Sequence, residues 1–241
     1  MPGRSRLGWE AHRLPGRGGL SRLPGRAASA AGDRRVNDKG LFVTVDGPGG
    51  VGKSTLVAAT VAQLVDDQFP VFATREPTDT PLGNLARHGT ETYRGMAMAC
   101  LIAADRYQHL STEIRPALMA GAVVVCDRYI ASSLVLQRMD DITPHTIWEL
   151  NRFADHPDLA VILTADPQVI TDRLAGRGDL HSRYERLPDS SRIEHELYQE
   201  AATSLTSRGI HTRVLDATTA APEALARTIA AEVAALRQGH P

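Results

Sequence analysis

Hydrophobic positions along the chain follow two alternating rhythms. Short, nearly continuous apolar runs recur from Leu41 onward, LFVTV, PVFAT, AVVVC, LAVIL and TRVLD, and longer stretches with helical spacing lie between them. Runs this apolar predict strands covered on both faces, the mark of a parallel sheet. Ser54 to Val65 sets Val57, Val61 and Leu64 on one helical face, and Pro222 to Leu236 does the same with Leu225, Ile229 and Val233; stripes of this kind are core packing. Thr143 followed by Pro144 reads as an N-cap and a first-turn proline, opening a helix that runs through Trp148 to Ala154. The five runs and their intervening helices predict an α/β fold, a five-stranded parallel sheet flanked by helices on both faces, with no internal repeat.

Residues 1–39 break this rhythm. They are rich in Arg, Gly and Pro, with few acids and no sustained apolar period, and are expected to be a disordered tail ahead of one domain over residues 40–238. An unstructured arm, an Arg-rich organelle address and translated upstream sequence are the readings such a tail allows, and a functionless arm is the one favoured. The net charge of −1 gives no global argument for nucleic acid or an anionic membrane, so neither is expected as a partner. Cys100 and Cys126 lie among apolar neighbours and read as reduced, buried residues rather than a disulfide framework. No uninterrupted apolar segment reaches the length of a spanning helix, which together with the reduced cysteines points to the cytoplasm.

The stretch DGPGGVGKST changes the picture from fold to chemistry. Gly47, four residues, then Gly52-Lys53-Ser54 fits the phosphate-binding P-loop pattern, with a strand just before it and a helix just after. Glycines let the backbone curl so that N–H groups converge on phosphate oxygens, and the helix N-terminus adds its partial positive charge. The candidate ATP cradle is Gly47, Pro48, Gly49, Gly50, Val51, Gly52, Lys53, Ser54 and Thr55. Lys53 reaches the β- and γ-phosphates, and the Ser54 hydroxyl is a ligand for Mg²⁺. Asp127 ends the run AVVVCD at the edge where parallel strands present ligand-binding groups, and is a second candidate for the magnesium.

A nucleotide site alone does not name a reaction. An Asn-Lys-x-Asp base reader and a Ser-Gly-Gly-Gln-like signature are both absent, which excludes the usual guanine switches and transporter ATPases. Arginines are in surplus near strand ends and in one loop: Arg75, Arg106, Arg128, Arg173, Arg177, Arg183 and Arg186. Guanidinium forks match phosphate bidentately, so the surplus suits transfer between a triphosphate and a second phosphorylated substrate. The nine histidines show no zinc spacing. No base is required, since a phosphate oxygen is already a nucleophile at neutral pH.

With DGPGGVGKST, TREPTDTPLG, AADRYQHLSTEIRPAL, CDRYIASSLVLQ and HPDLAVIL in place, the chain from about Leu41 to Leu205 resembles the thymidylate kinase family of nucleoside monophosphate kinases. The resemblance implies the P-loop NTPase fold with a short lid, ATP and Mg²⁺, transfer of the γ-phosphoryl group to dTMP, and a homodimer. Carried over by position, Arg75 and Arg128 hold the acceptor phosphate, Arg106 reads the base, and Ser132 and Ser133 line the acceptor pocket. Gln137 falls where many members also have glutamine. The loop interior lacks a basic residue, so RLAGRGDLHSRYER is the implied lid, and Arg177 and Arg183 are the implied catalytic arginines beside Lys53 and Arg128.

Four departures fall on the acceptor side. Gly49 stands where members usually carry an acid, Ile102 where a phenylalanine stacks on thymine, Leu136 where a tyrosine favours deoxyribose, and Thr78-Asp79 where two glycines follow REP. ATP handling is therefore expected to be intact and base preference altered. Two alternatives follow: a kinase of the same fold acting on another pyrimidine, modified nucleotide or nucleoside, and a nucleotide-binding homologue without transfer chemistry.

Overall fold

A computed structural model describes residues 40–177, 183–187 and 189–239, with the side chain of Arg177 outside that description. The expected tail, residues 1–39, lies outside the described residues. Five strands form at the five apolar runs: β1 Phe42–Asp46, β2 Val71–Arg75, β3 Val123–Asp127, β4 Leu159–Thr164 and β5 Thr212–Asp216. All pair in parallel, in the order β2-β3-β1-β4-β5.

The central strands β1, β3 and β4 are buried along their whole length, and successive residues serve two different cores. Val43, Val45, Val123, Val125, Val161 and Leu163 meet Leu56, Val57 and Leu64 of α1 (Lys53–Asp66) and Ile229 and Val233 of α9 (Pro222–Gly239). Phe42, Val124, Cys126, Ala160 and Ile162 face the other way. They pack on α5 (Ile130–Leu136), α6 (Pro144–Leu150) and α8 (Ser190–Thr206). Each large aliphatic side chain so buried contributes about 1.5–3 kcal/mol, which is why the apolar runs alone were enough to place the sheet. Of the expected α1 stripe, Val61 is only half-buried, and Leu56 takes the place against the sheet.

Thr143 caps α6, its hydroxyl accepting the Thr146 N–H at 3.2 Å, with Pro144 in the first turn. The helix ends at Leu150 and does not run on to Ala154, because the Asn151 side chain turns back to donate to the Ile147 carbonyl at 2.7 Å. Two further helices lead to the site, α2 (Pro81–His88) and α3 (Gly95–His109), and α3 runs through a π-turn over Leu110–Ile114 into α4 (Arg115–Met119). Burial of both cysteines holds for Cys126 and fails for Cys100. Cys100 is exposed, one position off the α3 stripe of Ala99, Ala103 and Arg106. Among the described residues no helix is long and apolar enough to cross a membrane.

Candidate active site

Chain order and sheet order diverge around β1, which runs between β3 and β4, and a crevice opens at the carboxyl ends of β1 and β3. The parallel register sets Val45 beside Asp127 and Asp127 beside Arg75, so β1, β3 and β2 end at one edge of the sheet.

The phosphate loop leaves β1 at Asp46 and enters α1 at Lys53. Gly50 has φ 75°, and a Cβ there would come within 2.8 Å of the Leu174 side chain, so this position needs glycine for both conformation and room. Gly52, left-handed at φ 107°, is the N-cap of α1. Lys53 folds back over the loop, its Nζ donating to the Pro48 carbonyl at 2.6 Å. Burial strips water from this ammonium, the Arg128 charge adds to the effect, and its pKa falls to about 7. The Ser54 hydroxyl donates to Asp127 Oδ2 at 2.8 Å, while Asp127 Oδ1 is buried without a hydrogen-bond partner. An orphaned carboxylate oxygen beside a hydroxyl is a donor set for a hard cation, and Ser54 and Asp127 fit the Mg²⁺ expected from the sequence.

Arg128 follows β3 in a left-handed conformation, φ 73°, which costs on the order of 1–3 kcal/mol for a residue with a Cβ. Asp46 holds it there: its Oδ1 accepts the N–H groups of Tyr129 and Ser132, both at 2.9 Å, tying the start of α5 to the end of β1. Arg128 then reaches the Ser132 hydroxyl at 3.3 Å, and Ser132 meets Tyr198 at 3.1 Å.

Next to Arg128 lies a cavity of about 190 Å³ lined by Gly49, Pro77, Ile102, Arg128, Gln137 and Glu194 among others. A smaller recess of about 40 Å³ shares Pro77, Ile102 and Leu136 with it and adds Arg106, Ser132 and Ser133. Arg106, 1% exposed, is held on three sides: Nε donates to Glu76 at 2.8 Å, Nη1 to Asn151 at 2.6 Å and Nη2 to Ser133 at 3.0 Å. Its carbon lies 4.9 Å over the Tyr129 ring. Gln137 Oε1 is buried and has no hydrogen-bond partner. Arg75 Nη2 donates to both carboxylate oxygens of Asp79, at 2.7 and 2.9 Å, and Arg87 approaches the same carboxylate at 3.6 Å.

The departures from the family pattern acquire physical form here. Thr78 replaces a glycine without freeing the loop, because Asp105 accepts its N–H at 2.8 Å and its hydroxyl at 2.5 Å. Gly49 leaves space that acids of other elements fill: its N–H donates to Glu194 Oε2 at 3.0 Å, and a Cβ there would meet Glu185 Oε1 at 2.6 Å. Burial raises the Glu194 pKa against the pull of Arg128. Ile102 and Leu136 both line the cavity and its recess.

The lid is described in part. Arg177 ends α7 (Pro167–Arg177), and its side chain and residues 178–182 lie outside the described residues. Arg183 is paired with Asp140 and donates to the Tyr184 hydroxyl at 2.8 Å. Asp140 also accepts the Gly95 N–H at 3.1 Å, so Arg183 is anchored at the start of α3 and not at the phosphate loop. Arg186 pairs with Glu91, and Arg173 braces the loop by donating to the Val51 carbonyl at 3.1 Å.

Thus the structure gathers Lys53, Ser54, Asp127, Arg128 and Ser132 around the phosphate loop, and Arg106, Ile102 and Ser133 around the recess; Arg75 stands at the end of β2 on Asp79. Sequence reading missed Asp46, Glu76, Arg87, Asn151 and Glu194. Asp46 and Glu76 were visible as acids closing a strand, in VDG and TREP; Asn151 and Glu194 carry no local signal.

Residues 45–227 match the family model described as thymidylate kinase, a span that contains every one of these site residues. A probable thymidylate kinase of Caldivirga maquilingensis is 36% identical over 166 residues, covering 67% of this chain and 80% of its own. A thymidylate kinase of Shouchella clausii is 35% identical over 176 residues, 69% of this chain and 82% of its own. One from Caldicellulosiruptor saccharolyticus is 38% identical over 151 residues, 58% and 73% respectively.

Proposed function

The chain belongs to the thymidylate kinase family, and on that premise we propose that it transfers the γ-phosphoryl group of ATP to dTMP, giving ADP and dTDP. One arrangement carries the reading. The phosphate loop after β1, at Gly49, and a strained Arg128 after β3 line one cavity, whose recess closes on the buried Arg106.

Transfer is direct and in line. An oxygen of the acceptor phosphate forms the new P–O bond as the bond from the γ-phosphorus to the β–γ bridging oxygen breaks, and the electron pair leaves with ADP. Loop N–H groups and Lys53 hold the β- and γ-phosphates, and Arg128 holds the acceptor phosphate, joined by Arg75 and Arg87 when Asp79 gives way. Ser54 and Asp127 would hold Mg²⁺, which would supply charge neutralisation at the polyphosphate. Ile102 and Leu136 cover the base by dispersion, and Arg106 offers it hydrogen bonds. Arg177 supplies the lid's charge to the moving phosphoryl group, a contribution of about 10³–10⁵ in rate for arginines in that role. Arg183 supports the lid from Asp140.

The resemblance further suggests a cytoplasmic homodimer, which light scattering on the purified protein tests. The reaction is tested by ADP release with dTMP, dUMP, dCMP, UMP, CMP and AMP at saturating ATP and magnesium, on the full chain and on one starting at Lys39. The expected result is that dTMP leads the panel and that Lys53→Ala lowers turnover by two or more orders of magnitude. No preference for dTMP over CMP, UMP or AMP would remove the thymidylate reading; no acceptor-dependent ADP release would remove the kinase.

A further inference from the structure

One wall of the recess is a buried carboxylate that the transfer step does not use. Glu76 ends in a carboxylate whose two oxygens are both taken: Oε2 by Arg106 Nε at 2.8 Å and Oε1 by His109 Nδ1 at 3.2 Å. Arg106 and His109 stand three residues apart on α3, so one helical face presents both donors to one acid from β2. The His109 ring is fully buried, and its Nε2 lies 2.7 Å from the Thr74 hydroxyl and 3.7 Å from the half-exposed Glu113. A carboxylate can only accept, so Nδ1 carries the proton toward Glu76; the Thr74 hydroxyl that meets Nε2 also lies 3.4 Å from Glu113 Oε2 and has one hydrogen for the two of them. His109 is also the last residue of α3, where the helix widens into the π-turn over Leu110–Ile114. Turns of that kind re-aim side chains and recur at functional sites.

A brace between α3 and β2 needs only one donor on Glu76. Two donors do more: with both oxygens engaged, the carboxylate cannot rotate about its own axis, and the Nε edge of Arg106 is fixed in direction. Asn151 and Ser133 fix the other edges. Three of the five guanidinium N–H groups are then committed, and two remain for a ligand in the recess that Arg106 lines.

We infer that His109 is a positioning residue for base selection: through Glu76 it sets the direction of the Arg106 N–H groups that meet the acceptor base. The inference rests on the reading of the recess as the base site. Tyr129, the aromatic residue that lines the recess, is 1% exposed and has its ring under the Arg106 guanidinium, so Ile102 and Leu136 are left to cover a base there and discrimination between bases falls on hydrogen-bond direction.

The test compares His109→Asn, His109→Gln, His109→Leu and Thr74→Val in the full chain. Asn places an amide N–H where Nδ1 was and keeps the contact with Glu76; Gln places its amide near Nε2 and does not. With His109→Gln and His109→Leu, KM for the preferred monophosphate rises about tenfold, the scale of one misaligned hydrogen bond. Selectivity over the next-best base falls by a similar factor, while kcat and KM for ATP stay within twofold. His109→Asn returns both quantities most of the way, and Thr74→Val moves them in the same direction by a smaller factor. The inference is overturned if acceptor KM and base selectivity do not move, if every parameter falls together with the folded fraction seen in thermal melts, or if Gln rescues as well as Asn. Should His109→Leu fail to fold, the Asn/Gln pair and Thr74→Val decide the matter. The wild-type panel defines the preferred base beforehand, so failure of the dTMP reading is seen separately.

Discussion

Replacing Glu76 by Gln removes one charge and almost no volume, which makes it a clean probe of the site's foundation. Arg106 and Glu76 are 1% and 5% exposed, so bulk water screens neither. Taking away the acid leaves a guanidinium buried with only the neutral acceptors Asn151 and Ser133, and loss of one partner of a buried pair costs about 3–5 kcal/mol. A Gln amide N–H would also confront the Nδ1–H of His109 and force that ring to change tautomer or turn away. For a domain of this size each 1 kcal/mol lowers Tm by about 2–4 °C. The expected drop in Tm is therefore about 10 °C or slightly more, measured by circular dichroism with urea titration as a second probe. Removing the orphaned cation as well, in Glu76→Gln/Arg106→Met, should recover at least about 2 kcal/mol relative to the sum of the single losses, because the penalty belongs to the unpaired charge. The double variant should be stable and poor with dTMP. A loss below about 1 kcal/mol in Glu76→Gln, or strict additivity in the cycle, refutes the account of Arg106 as a buried, paired base reader.

Other consequences follow from the same geometry. Lys53, with its pKa pushed down to about 7, is about half neutral at pH 7 in the empty protein. ATP binding restores the charge, so calorimetry in buffers of differing ionisation enthalpy should show uptake of about half a proton at pH 7 and close to one at pH 8.5. Absence of uptake at pH 8.5 contradicts a desolvated ammonium. For stability, between about pH 7 and the ordinary lysine value of 10.5 the unfolded chain holds a proton that the folded chain lacks. Stability contributed by this group therefore rises with pH through that window. Ile102→Phe adds an aromatic face beside Pro77 and Leu136 in the recess. It should lower KM for dTMP by about two- to tenfold, the equivalent of 0.5–1.5 kcal/mol for aromatic stacking; an unchanged or raised KM shows that the recess does not hold the base.

The sheet and the phosphate loop could be read from the sequence because each depends on a local pattern. Valines that alternate between two cores look like unbroken apolar runs whichever face they serve, and a loop that needs Gly50 at φ 75° must spell glycine. Arg128 was visible as an arginine following a strand-end acid. Its left-handed conformation was not, since that is imposed by Asp46, whose carboxylate arrives from the end of β1 to accept the N–H of Tyr129, eighty-three residues on. Asn151 ends a helix and holds Arg106 with the same side chain, and neither task leaves a mark in the residues around it. Arg183 shows the reverse case. Basic residues in a loop suggest phosphate contact by composition, but Asp140 claims this one through tertiary packing. Cys100 went wrong for a smaller reason, a shift of one position on a helix whose neighbours are all apolar.

The acids around the crevice bear on how tightly the acceptor is held. Arg75 faces Asp79, the Gly49 N–H faces Glu194, and Ser54 faces Asp127, so anionic substrates exchange partners with these donors and do not simply fill a positive field. The exchanges differ in cost. Asp79 is 69% exposed and pairs with Arg75 at the surface, an interaction worth about 0.2–1 kcal/mol that yields to a phosphate with little loss. Glu194 is 3% exposed and accepts the Gly49 N–H at 3.0 Å, so packing keeps it in the crevice. Burial raises its pKa and works against its charge, while Arg128 pulls the other way. On the proposed function, an oxygen already taken by the Gly49 N–H has no donor to offer the acceptor phosphate, which leaves that phosphate to the side of the crevice with Arg128 and Arg75. Direction of approach is thus set as much by the acid left in place as by the arginines that attract.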